Sequence, residues 1–214
     1  MKIKAFTFNQ FQENTYIVYD ETKECIIIDP GCYTKEEEEE INNFINIKKL
    51  RPVKLINTHC HIDHILGNNY INQKWGLDLY THILEIPLLK ESINIAKTYG
   101  FEKYKTSPLP KYFLKEKDLI NFGNSEFNIL FCPGHSPGHV CLYNQKESIL
   151  ISGDVIFKNS IGRTDLPGGD FTTLITSIKN NILPLSDKTQ IFCGHGLNTN
   201  LEYERKNNPF INQL

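Results

Sequence analysis

Short apolar runs separated by turn residues make up most of the chain, and they are rich in Ile, Val, Phe and Tyr. Runs at 1–8, 15–19, 25–29, 52–58, 126–131, 139–143, 148–152 and 189–193 read as β-strands, the third ending at Pro30-Gly31. Helical spacing of apolar positions fits 65–74, 83–99 (with a break before Pro87) and 171–181. Glu36-Glu37-Glu38-Glu39-Glu40 opens a further helix reaching about Leu50. Carboxylates favour the positive end of a helix dipole, and Lys48 and Lys49 favour the other end. Residues 99–114, rich in Lys, Tyr and Pro, have weak periodicity and read as a loop or lid edge. Strands occur in both halves with helices between them, so the class is mixed α/β, or α+β.

Composition narrows the picture. A chain of 214 residues can bury a sizeable core as one domain, 1–214. With 23 basic and 25 acidic residues the net charge is −2, which gives no basic field for nucleic acid. No run of 18 apolar residues exists, so neither a membrane span nor a membrane partner is expected. The start, MKIKAFTFNQF, lacks the apolar run of a secretory signal, and a cytoplasmic location is expected. The six cysteines (25, 32, 60, 132, 141 and 193) include no C-x-x-C pair and read as small buried apolar residues rather than disulfides.

The chemistry concentrates in Thr58-His59-Cys60-His61-Ile62-Asp63-His64, which follows a strand. His59 and His61 are two apart and project to one side of an extended segment, while Cys60 between them points away. Asp63 and His64 begin the next turn and can aim at a second point, so one loop can serve two adjacent metals. Three more donors follow strands: His135 in Pro133-Gly134-His135, Asp154 in Gly153-Asp154 and His195 in Gly194-His195-Gly196. Such strand ends are where open α/β sheets place sites. His82 and His139 fall outside the pattern. Arg163 can grip a carboxylate bidentately or pair internally with Asp165 or Asp170, and Lys158 is a weaker candidate of the same kind. Tyr99, Phe101, Tyr104 and Tyr112 either form an aromatic lid or belong to the core.

These pieces, together with Asn14-Thr15-Tyr16 and Asp29-Pro30-Gly31, resemble the metallo-β-lactamase superfamily over nearly the whole chain. The resemblance implies an αββα sandwich with a dinuclear site. His59, His61 and His135 would hold one metal, Asp63, His64 and His195 the other, and Asp154 would bridge them. Asp154 stands where many true β-lactamases carry Cys, which points away from antibiotic hydrolysis. The stretch 153–170 and the ending Glu204-Arg205-Lys206-Asn207-Asn208-Pro209-Phe210 resemble short bacterial glyoxalase II-like hydrolases. The implied reaction is cleavage of a small-molecule thioester such as S-D-lactoylglutathione by a metal-activated hydroxide that Asp63 orients. Two divalent cations with N/O ligands suit Zn²⁺, with Fe or Mn also compatible. Arg163 and Lys158 would contact the substrate. An alternative with similar motifs is a persulfide dioxygenase holding one iron on His59, His135 and Asp154. A zinc-stabilised binding module is disfavoured, because structural zinc sites are closed and Cys-rich.

Overall fold

The computed structural model describes residues 1–212, and its first sheet begins with the three strands read from the start of the sequence. β1 (Lys2–Phe8), β2 (Glu13–Tyr19) and β3 (Glu24–Ile28) pair antiparallel in chain order. α1 (Lys35–Lys48) then carries the chain over to β4 (Arg51–Ile56), which lies parallel to β3. Its N-terminus is closed by a capping box between Thr34 and Glu37. Glu37 has a wider role, because its carboxylate also accepts the backbone N–H groups of Asn9 and Tyr33, both at 2.7 Å. The glutamate run is thus partly a tether for the β1–β2 turn.

α2 (Ile62–Ile65) and α3 (Asn68–Trp75) replace the single helix expected at 65–74. The interruption falls at Gly67, whose N–H leaves the helical ladder and donates to the Pro30 carbonyl at 2.7 Å. The helical stretch therefore starts earlier than expected, with Asp63 and His64 in its first turn. β5 (Leu79–Thr81), a 3₁₀ turn at Ile83–Glu85 and α4 (Ile86–Thr98) follow, the break falling just before Pro87 as expected. Within 99–114 the structure adds one short edge strand, β6 (Tyr112–Phe113), giving the sheet order β1-β2-β3-β4-β5-β6. Of the aromatics of this stretch, Phe101 is core and Tyr104 packs half-buried against it, whereas Tyr99 and Tyr112 are exposed, Tyr99 meeting Phe11 edge-on and Tyr112 stacking on Tyr80.

The second sheet has the order β14-β13-β10-β9-β8-β7. Its members are β7 (Leu119–Phe122), β8 (Ser125–Phe131), β9 (Val140–Asn144), β10 (Ile149–Gly153), β13 (Gln190–Cys193) and β14 (Thr199–Asn200). A small hairpin, β11 (Ile156–Phe157) with β12 (Ser160–Ile161), follows β10. α5 (Phe171–Ser177) is shorter than the expected helix, because its last turn, Ile178–Ile182, widens to π-helical hydrogen bonds. α6 (Leu201–Asn207) comes last.

The chain divides into two units, residues 1–113 with 121–126, and 114–120 with 127 onward. Each has its own apolar cluster. Cys25, Cys32 and Cys60 belong to the first, and Cys132, Cys141 and Cys193 to the second. All six cysteines are buried and free, as expected. Among the described residues no helix is long and apolar enough to cross a membrane.

Candidate metal centre

In the first unit the donors stand just beyond the C-terminal end of β4. Asp29, at the end of β3 with φ 48°, organises them. One of its carboxylate oxygens accepts the Thr58 N–H at 2.7 Å; the other accepts the Thr58 hydroxyl at 2.6 Å and faces His64 Nδ1 at 3.2 Å. The single Thr58 hydroxyl proton is thus committed to Asp29, so at 3.1 Å the hydroxyl oxygen accepts from His59 Nδ1. Both imidazoles therefore carry their proton on Nδ1 and present Nε2 as a lone-pair donor. The His59 and His64 rings lie 4.2 Å apart and the His59 and His61 rings 4.8 Å apart, while His64 Nε2 is 3.6 Å from Asp63 Oδ2. Donor atoms of Asp29, His59 and His64 all lie within 4.8 Å of one another. Glu13, fully buried beside this group, is held well above the usual carboxylate range chiefly by burial. Cys60 points away as expected, its thiol packed 3.7 Å from the Thr81 hydroxyl, and Glu85 fixes its backbone N–H at 2.7 Å.

In the second unit three donors converge. His135 Nε2 and His195 Nε2 lie 3.4 Å and 3.5 Å from the same oxygen, Asp154 Oδ2. His135 Nδ1 faces the Arg163 carbonyl at 2.7 Å; a carbonyl only accepts, so the proton again sits on Nδ1. The loop carrying His135 turns at Gly134, whose φ of 129° and close approach to the Leu174 backbone, 2.2 Å from a built Cβ, admit no side chain. Asp154 follows an irregularity in the β10–β13 pairing between Ile151 and Gly153, which redirects the chain at the strand end. Cys132 lies in the apolar cluster.

The donor set of the two units suits divalent metal ions: imidazole nitrogens, those of His59, His64 and His135 with a partner on Nδ1, carboxylate oxygens and no thiolate. Arg163 takes the internal option, donating from Nε and Nη2 to the two Asp165 oxygens at 2.7 Å each. Asp170 instead caps α5 through the Thr173 N–H. The Lys158 ammonium stands 5.6 Å over the Tyr203 ring. His82 serves locally, accepting the Leu84 N–H. Sequence reasoning missed Asp29, Glu85 and His139 as supports of the donors; the Asp29-Pro30-Gly31 turn was the only local signal among them.

Known proteins share this organisation. The description of the metallo-β-lactamase superfamily matches residues 8–195. Over 213 residues the chain is 33% identical to the hydroxyacylglutathione hydrolase GloC of Haemophilus influenzae, with 99% of both chains covered. The BLEG-1 B3 metallo-β-lactamase matches with a TM-score of 0.90 at 35% identity, covering 98% of this chain and 99% of that one. TTHA1623 in a di-iron-bound form matches with a TM-score of 0.86 at 34% identity, covering 97% and 99%. The fold and the donor-bearing strand ends agree with this: the chain belongs to the metallo-β-lactamase superfamily and is a metallo-hydrolase of that family.

Proposed function

We propose that this protein is a thioester hydrolase acting on a hydroxyacyl thioester of the S-D-lactoylglutathione kind. The observation that carries the reading is the thiolate-free donor set, in which the Nδ1 atoms of His59, His64 and His135 each face an oxygen partner. The end-to-end similarity to a hydroxyacylglutathione hydrolase supports the substrate class. In this reading His59, His61 and His135 would hold one cation and Asp63, His64 and His195 the second, with Asp154 a ligand as well. Zinc fits the N/O ligands, and iron, present in the di-iron relative, fits them as well. Two such cations supply a water acidified toward neutral pH and a polarised acyl carbonyl.

The chain's own groups do the rest. Asp63 accepts a hydrogen bond from the attacking water and turns its lone pair toward the carbonyl carbon. Asp29 and the Arg163 carbonyl keep the His64 and His135 rings from rotating as charge develops. A thiolate leaves without help from an acid, so no further titratable group is needed. Arg163 and Lys158 bind the substrate's carboxylate, Arg163 by exchanging its Asp165 partner. Six reduced thiols fit work in the cytoplasm.

Zinc-loaded and iron-loaded protein should hydrolyse S-D-lactoylglutathione, and His61→Ala should remove both the activity and part of the bound metal. Oxygen uptake with glutathione persulfide at one iron per chain would replace this reading with the dioxygenase. Turnover of a β-lactam but no thioester would replace it with a lactamase.

A further inference from the structure

His139 is fully buried, and its place in the second unit is unusual because both its backbone and its side chain meet donor-bearing loops. Its carbonyl accepts the Cys132 N–H at 2.8 Å, closing the loop that carries His135. Its Nε2 accepts the backbone N–H of Asp154 at 3.0 Å. A backbone N–H can only donate, so Nε2 is unprotonated and the ring proton sits on Nδ1. The ring stands 6.0 Å from that of His135 at 76°, so the two imidazoles pack edge to face. Asp154 follows Gly153, the last residue of β10, which still pairs with Cys193 past the irregularity, so the ladder ends just before Asp154. The N–H to Nε2 contact takes over there.

We infer that His139 is a positioning residue: its imidazole holds the Asp154 backbone and thereby aims that carboxylate, together with the His135 loop, at the cations. The inference rests on Asp154 being a cation ligand, as proposed above. It differs from direct ligation, because the ring nitrogen facing Asp154 is occupied by a backbone proton.

Two variants test it. His139→Leu keeps the bulk and loses the acceptor, whereas His139→Gln offers an acceptor oxygen close to the position of Nε2. Metal affinity, measured by competition with a chromophoric chelator, should weaken roughly 10–100-fold in the leucine variant. It should recover substantially in the glutamine variant, and kcat should follow the same order with KM little changed. Equal affinities and rates in all three proteins overturn the inference. Should the leucine variant fail to fold, nitrogen NMR of the wild-type ring decides: an Nδ1–H tautomer with Nε2 accepting from Asp154 supports it, and a proton on Nε2 overturns it. Failure of the wild-type protein itself to bind metal would instead count against the proposed function.

Discussion

Arg163 and Asp165 form the best-defined exposed pair, with two parallel N–H···O contacts of 2.7 Å. The hydrogen bonds from Arg163 are the main reason that the Asp165 carboxyl is held down to about 2. A depressed carboxyl favours the folded state above its unfolded value, near 3.8, and loses that contribution as pH falls through about 2. Both side chains are largely exposed, so the pair adds little to stability. Carbon NMR of Asp165 should therefore show a midpoint near 2 in the wild type, rising toward 3.8 in Arg163→Met with Tm unchanged. Asp165→Asn releases the guanidinium, and KM for an anionic thioester should fall while kcat holds. An unchanged KM would leave Arg163 a purely internal partner. At this scale the sequence was informative about donors and poor about their supports. His59, His61, Asp63 and His64 stand in one run that spacing reveals. Asp29, Glu85 and His139 act through hydrogen bonds formed only after folding, which residue spacing in the sequence does not mark.

The element that most constrains the second donor group is the β11–β12 hairpin, although each of its strands has two residues. α6 straps it down. Glu204, fully buried, accepts the Asn159 N–H at 2.9 Å, and the Asn208 amide reaches the Ser160 carbonyl at 2.9 Å. The chain then runs into Gly162 and Arg163, whose carbonyl holds His135. A Cβ on Gly162 would lie 1.9 Å from the Asp154 carbonyl oxygen and 3.0 Å from His135 Nδ1. A carbonyl of the main chain cannot swing aside, so Gly162→Ala should cost about 1–3 kcal/mol, the usual range for overpacking. Urea melts of the metal-free protein should show the loss. An unperturbed midpoint would mean that the hairpin yields freely and does not set the His135 geometry. Strands of two residues carry no periodicity, which is why β11, β12 and β14 were illegible, whereas β1, β3 and β8 were read nearly to their ends. α1 was legible for a different reason: its glutamates stand at one end and Lys48 and Lys49 at the other, and the Thr34–Glu37 cap emerges only in the structure.

For the whole molecule, the buried thiols offer a readout of how cations act on folding. Three lie in the apolar cluster of residues 1–113 and three in that of the later unit. Burial pushes Cys25 and Cys193 up to about 12 and Cys32 and Cys60 well above their ordinary value, so thiolates are scarce in the native state. Labelling by a thiol reagent therefore requires unfolding, and mass spectrometry after partial labelling at each denaturant concentration reads each cluster separately. In the proposed function His59, His61, Asp63, His64, His135, Asp154 and His195 would all be cation ligands. A ligand bound only by the native arrangement stabilises everything needed to form it, by about 2.7 kcal/mol at a free concentration of 100 Kd. Cation should then move the labelling of both thiol sets to higher denaturant together, and a chelator should reverse it. Protection confined to Cys25, Cys32 and Cys60 would mean that the metal is held by the His59–His64 segment alone, and the proposed ligand set would have to be abandoned. The same experiment on His61→Ala should shrink the shift in both sets, because the loss of one ligand weakens a centre on which each depends.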